Sequence, residues 1–216
     1  MDVGELTPVA QDYLKVIWSA AEWGGPPITT KALAARFSST AANVSVTLRR
    51  LEAQGLVVYR PYRPAELTAL GRRLAVAMVR RHRLLETFLA EVVGYAWDEV
   101  HAEAERLEHA VTDDFLERID RLLGHPGFDP HGDPIPSPDG RFVLPQTVEL
   151  DAARPGPHRV VRVADVDPAA LAELSRLGVV PGVHIEVGHG DGDLTLDGAP
   201  VVLALELRAA VRVTAS

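Results

Sequence analysis

From Thr30 to Leu67 the chain reads TKALAARFSSTAANVSVTLRRLEAQGLVVYRPYRPAEL, and three punctuation marks divide it. A short helix is expected over Thr30–Phe37, capped by Thr29 or Thr30. Ser38-Ser39-Thr40 then forms a polar turn whose hydroxyls start another helix, Ala41–Gln54, with Gly55 suited to the position after its C-terminus. Leu56–Arg60 alternates and is rich in β-branched residues, Pro61–Pro64 turns, and Ala65–Leu67 returns, which is a short hairpin with arginines at its tip. Helix, tight turn, helix with a polar start, then a basic hairpin is the order of a winged helix-turn-helix. The Ala41–Gln54 helix and its approach offer Ser39, Thr40, Asn43 and Thr47 on one side and Val44, Leu48 and Leu51 on the other. Small polar side chains suit base edges, and Arg49, Arg50, Arg60 and Arg63 suit phosphates. The plain alternative is a solvated helix face followed by a charged hairpin.

Charge distribution weighs on the first side. The 216-residue chain carries a net charge of −8, yet residues 1–75 hold nine Lys and Arg against six Asp and Glu, and residues 28–75 alone balance to +6. A basic N-terminal third on an acidic protein suggests a local polyanion-binding surface. Upstream, Thr7–Glu22 is expected as an amphipathic helix with Thr7 as N-cap, Pro8 at its first position, and Val9, Tyr13, Leu14, Ile17 and Ala21 at helical spacing. Gly24-Gly25-Pro26-Pro27 breaks it.

Downstream, Thr68 caps a long helix to about Val93 that carries His82 and Glu86 at i and i+4. Gly94 ends it. Trp97–Val111, WDEVHAEAERLEHAV, reads as one helix with His101, Glu105, Glu108 and His109 in a single stripe. Imidazoles and carboxylates crowded on one face make poor core and a costly cluster of like charge, and a divalent cation resolves both problems. Each residue alone also has a bland reading: Asp12 as a helix-dipole partner, His82 with Glu86 as a surface ion pair, the Trp97 helix as a solvated acidic face. A further helix, Asp113–Leu123, stops at Gly124. Leu84, Leu85, Phe88, Leu89, Val92, Leu107, Phe115, Leu116, Ile119 and Leu122 are the expected packing residues of a helical second domain with a dimer surface.

His125–Pro157 is rich in Pro, Gly and Asp and is expected as irregular loop or linker, with His125 and His131 as solvent-exposed loop histidines. Beyond it come strands at Arg159–Val163, Val183–Val187, Leu194–Leu196, Val201–Leu203 and Ala209–Val213, separated by Pro181-Gly182, Gly190-Asp191-Gly192 and Asp197-Gly198. One helix, Pro168–Leu177, interrupts them, and the whole suggests a small barrel.

There is no cysteine, which excludes disulfides, thiolate metal sites and cysteine nucleophiles. No stretch approaches a membrane span and the N-terminus lacks a signal-peptide pattern, so a cytoplasmic protein with no membrane partner is expected. Zincin HExxH, the paired Glu-x-x-His of di-iron bundles, the nucleophile elbow, the P-loop and the dinucleotide fingerprint are all missing. A hydrolytic or oxygen-activating enzyme is therefore disfavoured, and no small organic substrate is expected.

The order winged helix-turn-helix, then HRLLE (82–86), HAEAERLEH (101–109) and PHGDPIP (130–136) resembles the diphtheria toxin repressor family of metal-dependent regulators, over essentially the whole chain. The resemblance implies a mainly α protein with a C-terminal all-β domain. Its expected parts are a DNA-binding winged helix-turn-helix (1–75), a helical dimerisation and metal-binding domain (76–142), a linker (143–157) and an SH3-like domain (158–216). It implies a homodimer on double-stranded operator DNA and two metal ions per subunit. The primary site maps onto Asp12, Glu105, Glu108 and His109, and the ancillary site onto His82, Glu86 and His101. Asp167 lies near the family's third-domain carboxylate, while the accompanying glutamine appears as Ala170. Iron-type members carry Met and Cys where this chain has Asp12 and Glu105, and manganese-type members have Asp and Glu there. Mn²⁺ is thus the expected cofactor, with Fe²⁺ as the alternative. Short manganese-type members use a Glu where Lys15 stands, so separate sites are expected rather than a bridged pair. Ser39, Thr40, Asn43 and Val46 fall at base-facing positions, and Thr30, Lys31, Arg50 and Arg63 at backbone-contact positions. Val46 replaces a glutamine, which implies a different operator. A metal buffer or metalloenzyme without specific DNA binding is the reading from another class.

Overall fold

A computed structural model describes residues 1–165, 167–190 and 192–215. Two units are distinct, one of Met1–Arg81 with Pro136–Arg141, the other of His82–Ile135 with Phe142–Ser216. Among the described residues no helix is long and apolar enough to cross a membrane.

In the first unit, α1 (Pro8–Glu22) starts where Thr7 Oγ1 accepts the Ala10 N–H, with Pro8 in the first turn. Its buried stripe is Ala10, Tyr13, Leu14, Ile17 and Trp18. Val9 and Ala21, expected on that stripe, face solvent instead, because the apolar face is rotated by one residue toward Trp18. α2 (Thr30–Arg36) is capped by Thr29, and α3 (Ala41–Ala53) by Thr40, each through a side-chain oxygen accepting a backbone N–H. Val44, Leu48 and Leu51 bury the inner face of α3, as the spacing requires. β1 (Val57–Val58) and β2 (Glu66–Leu67) pair antiparallel, Val57 opposite Leu67. Thr68 then turns the chain: its hydroxyl donates toward the Gly55 carbonyl and accepts the Gly71 N–H. Gly71 has no side-chain alternative, since a Cβ there would stand 1.9 Å from the Leu56 carbonyl oxygen.

α4 (Ala69–Phe88) begins in the first unit and its residues from His82 belong to the second. It relaxes into a wider turn over Leu89–Val93 and stops at left-handed Gly94. α5 covers only Val100–Leu107, shorter at both ends than the expected Trp97–Val111. One end is set by distant partners, the other by a local cap. The Trp97 carbonyl accepts from His131 Nε2 rather than from a helical N–H, and its indole donates to Ser175 Oγ. At the other end Thr112 caps α6 (Asp113–Leu122), so the chain must turn between Glu108 and Val111. Leu84, Leu85, Leu89, Val100, Ala104, Leu116, Ile119 and Ile135 form the helical core. Val92, Phe115 and Leu122, also among the expected packing residues, are exposed in the single chain.

The Pro-rich loop is more ordered than its composition suggests. Asp129 Oδ1 accepts the N–H groups of both His131 and Asp133, and Phe128 bridges Pro134. His131, expected to be exposed, is fully buried. The Gly132 backbone lies so close to the sheet that a Cβ would meet the Val161 carbonyl at 1.9 Å.

The C-terminal residues form a six-stranded antiparallel sheet in the order β3-β8-β4-β5-β6-β7. Its members are β3 (Thr147–Glu149), β4 (Gly156–Val163), β5 (His184–Val187), β6 (Leu194–Leu196), β7 (Ala199–Val201) and β8 (Val211–Thr214). The segment expected as a linker thus supplies an edge strand, β3, paired to β8. α7 (Pro168–Arg176) stands as expected, while α8 (Leu205–Ala209) was not anticipated. The fourth strand falls at 199–201 rather than 201–203, because the Asp197-Gly198 turn leaves just enough chain to pair Leu194 with Val201. Of the Gly190-Asp191-Gly192 turn, Asp191 lies outside the described residues. Alternating inward residues, among them Val160, Val163, Ile185, Val211 and Val213, pack with Leu171 and Leu174 of α7 to make this core.

Candidate metal centre

The second unit gathers titratable side chains from four separate segments. α4 presents His82 and Glu86 one turn apart, and α5 presents His101 and Glu105 in the same way. The Pro-rich loop brings His131, and the chain leaving β4 brings Asp165. Ligand-type atoms of His82, Glu86, His101 and Asp165 all lie within 4.8 Å of one another. His82 Nε2 is 2.9 Å from Glu86 Oε1 and 3.1 Å from His101 Nδ1. His101 Nδ1 is in turn 3.1 Å from Glu86 Oε1 and 3.0 Å from Asp165 Oδ2. Two imidazole nitrogens and two carboxylate oxygens therefore converge on one point.

His131 adds a further donor. Its Nε2 must carry the proton, because the Trp97 carbonyl 2.8 Å away can only accept. Its Nδ1 then faces Glu86 Oε2 at 3.7 Å, and neither of these buried atoms has a hydrogen-bond partner among the described residues. A lone pair aimed at a carboxylate oxygen in a dry interior is unfavourable unless a proton or cation comes between. The electrostatics agree. Burial alone would lower the His101 imidazolium, but hydrogen bonds and charge from Asp165 and Glu86 outweigh it and push it up to about 10. His131 is likewise opposed by burial and raised to about 10 by Glu86 and Asp129. Burial pushes Glu86 up, yet His82, His101 and His131 hold it well below the usual carboxylate range. Protons on the imidazoles are what this cluster uses to balance its carboxylates, and a divalent cation is the alternative counter-charge. Oxygen and imidazole donors without sulfur fit Mn²⁺, Fe²⁺ or a similar ion.

Asp129, from the same loop, groups with Glu86 and His131, and burial together with the Asp133 and Glu86 carboxylates raises it well above the usual range. Arg83 stands 3.5 Å from Asp129 and 3.4 Å from Asp133, and Arg162 of β4 also pairs with Asp133.

A second group lies beside the first. His82 Nδ1 contacts Glu108 Oε2 at 2.7 Å, and His82, Glu105 and Glu108 form their own set within 4.8 Å. Glu105 is 3.7 Å from His101, and His109 is 3.7 Å from Glu108. Glu108 and His109 follow the end of α5 rather than riding on it. Asp12 sits half-buried on α1 of the first unit.

Asp167, expected as the carboxylate from the third domain, instead caps α7 by accepting the Ala169 N–H at 3.0 Å. Asp165 takes the place at His101. The two were separable in principle, since Asp167 directly precedes Pro168 and is the natural N-cap. The composition around His131 reads as an irregular loop, although Asp129 and Asp133 flank it in the way an ordered polar turn requires. Asp165→Ala is expected to weaken metal binding on the order of tenfold to a hundredfold. Asp167→Ala is expected to leave metal binding alone and to cost about 1 kcal/mol of stability through the lost cap. Titration calorimetry and thermal melts on the two variants check the contrast.

In the first unit, Lys31, Asn43, Val46, Arg50 and Arg63 are exposed, while Thr30 and Ser39 are half-buried. Thr40 spends its hydroxyl on capping α3.

A basic winged helix-turn-helix followed by a helical domain that gathers metal-ligand side chains is the architecture of a metal-dependent DNA-binding regulator. The chain belongs to the iron-dependent repressor family: residues 5–65 match its N-terminal DNA-binding domain and residues 68–137 its metal-binding and dimerisation domain. The diphtheria toxin repressor of Corynebacterium diphtheriae is 31% identical over 222 residues, covering 97% of this chain and 98% of that protein. The iron-dependent repressor IdeR of Mycobacterium leprae is 33% identical over 198 residues, 86% of each chain. Among solved structures, a manganese-dependent transcriptional repressor in complex with manganese is 45% identical, with a TM-score of 0.90 over 96% of this chain and 100% of that one.

Proposed function

We propose that this repressor responds to Mn²⁺ and, when loaded, binds operator DNA as a homodimer. The observation that carries the reading is the convergence of His82, Glu86, His101 and Asp165, with His131 behind Glu86, in a donor set of only nitrogen and oxygen. Asp12 and Glu105, where the resemblance places sulfur ligands in iron-type members, favour Mn²⁺ on the same ground, and the 45% identity to a manganese-dependent repressor adds support. Two ions per subunit are assigned: one to the group just named, one to Asp12, Glu105, Glu108 and His109. Residues 1–75 bind DNA, 76–142 hold metal and dimerise, and 158–216 contribute Asp165. The exposed apolar Phe115 and Leu122 of α6 and Val92 after α4 are the proposed dimer face.

The ion supplies divalent charge and fixed coordination. The residues do the rest. Asp12 belongs to the DNA-binding unit, whereas Glu105, Glu108 and His109 belong to the other. Shared ligation restricts how the recognition helices are presented, which is a population shift toward the DNA-competent dimer. A tenfold preference of metal for that state is worth about 1.4 kcal/mol, and by linkage DNA tightens metal binding by the same factor. An Fe²⁺-responsive repressor is the second reading, favoured by the iron-dependent repressors IdeR at 33–34% identity.

Gel-shift titrations with Mn²⁺ and Fe²⁺ under anaerobic conditions test both. Mn²⁺ is expected to increase DNA affinity at least about tenfold, and Asp12→Ala to remove the response. DNA binding indifferent to metal and to Asp12→Ala would sink the mechanism. A stronger response to Fe²⁺ would select the second reading.

A further inference from the structure

The tip of the hairpin is a four-residue turn in which the Arg63 N–H donates to the Arg60 carbonyl at 3.1 Å. Pro61 fills its second position and Tyr62 its third, with φ of 65°. Proline followed by a left-handed residue is a type II turn, whose third position normally belongs to glycine. A bulky aromatic residue there is strained. Nothing inside the protein compensates: Tyr62 is 102% exposed, so its ring neither packs nor leaves water. The other described non-glycine residues with positive φ differ. Ser38 and Asp197 are small and polar, and His125 is held by Asp120 at 2.8 Å. Pro64 disfavours the helical region for Arg63, which narrows the ways the turn can relieve itself.

The turn is also held at a fixed offset from α3. The Tyr59 hydroxyl bonds Ser45 Oγ at 3.0 Å, and the Tyr59 N–H donates to Glu52 Oε1 at 2.9 Å, both on α3. A hairpin fixed to a helix that enters the major groove carries its tip toward the neighbouring groove. There the narrow minor groove attracts guanidinium groups, and its sugar walls accept apolar side chains. Arg60 and Arg63 are both exposed and flank Tyr62 within that one turn.

We propose that Tyr62 is a DNA-contacting residue: the Arg60–Arg63 turn presents its ring, between two guanidiniums, to the minor groove beside the major groove entered by α3. The strain is kept because the ring finds its partner outside the protein. The inference rests on the DNA-binding role of the unit and adds a neutral, groove-directed contact to it.

The test uses the full-length Mn²⁺-loaded protein and a duplex it selects from a random-sequence pool. Tyr62→Gly is expected to raise the thermal midpoint, by relieving the left-handed strain, and to weaken binding of that duplex about tenfold. Its salt dependence is expected to match wild type because no charge is removed, whereas Arg63→Ala lowers the slope by about one. Tyr62→Phe, which keeps the ring, is expected to bind like wild type. A Tyr62→Gly protein with a raised midpoint and affinity within about twofold of wild type would overturn the proposal, as would weaker binding accompanied by a lowered midpoint. If the wild type enriched no duplex at all, the DNA-binding reading would fall, and this one with it.

Discussion

His82→Ala is expected to abolish high-affinity metal binding at both centres, not at one. The imidazole stands between two fully buried carboxylates, Nδ1 at 2.7 Å from Glu108 and Nε2 at 2.9 Å from Glu86. Glu86 belongs to the group with His101 and Asp165, and Glu108 to the group with Glu105 and His109. One side chain thus orients a ligand of each. Removing it also deprives two buried carboxylates of their shared positive partner, which typically costs about 3–5 kcal/mol. At roughly 2–4 °C per kcal/mol for a chain of this size, the metal-free variant should melt on the order of 10 °C lower. Combining His82→Ala with Glu108→Gln removes one of the stranded charges. Much of the stability should return while metal binding stays lost. Calorimetric stoichiometry and thermal melts read the two effects separately. A single-site loss with an unchanged melting temperature would show that His82 serves only its own centre.

The second large effect concerns metal choice. Replacing Asp12 by Met and Glu105 by Cys is expected to move the strongest response in DNA binding from Mn²⁺ toward Fe²⁺ or later metals, by on the order of tenfold to a hundredfold in relative activation. Thiolate and thioether donors favour the softer and later ions, whereas carboxylates suit Mn²⁺. Anaerobic gel shifts across Mn²⁺, Fe²⁺ and Co²⁺ compare the orders of activation. The same order in wild type and variant would place the selectivity elsewhere, with Glu86, His101 and Asp165 as the next residues to change.

How much of this was legible in the sequence follows from the range of the interactions involved. The caps Thr7 and Thr40 and the inward face of α3 depend on neighbours three or four residues away, and periodicity reads them directly. The pairs His82 with Glu86 and His101 with Glu105 were legible for the same reason, since i and i+4 spacing fixes a shared face. The grouping of His101 with the first pair came only through the family resemblance. His131 and Asp165 were not legible, because their roles are set by distant partners. The Trp97 carbonyl fixes the tautomer of His131, and a hydrogen bond to His101 across the unit identifies Asp165. The His131 contact also ends α5 short of Trp97, where the stripe of His101, Glu105, Glu108 and His109 alone extended the helix. β3 escaped detection because a three-residue edge strand owes its existence to β8, more than sixty residues further along.

Asp165 has one more consequence, which concerns the unfolded chain. His82, His101, His131 and Asp165 come from widely separated positions, so a bond uniting them ties off long loops. Closing a loop of roughly eighty residues removes denatured-state entropy worth up to about 4–5 kcal/mol, comparable with a well-placed disulfide. In a chain without cysteine, an ion held by these four residues would occupy the position of a cross-link, and a reversible one. Whatever ion the cell supplies would then govern not only what the repressor binds but how long its C-terminal sheet survives proteolysis.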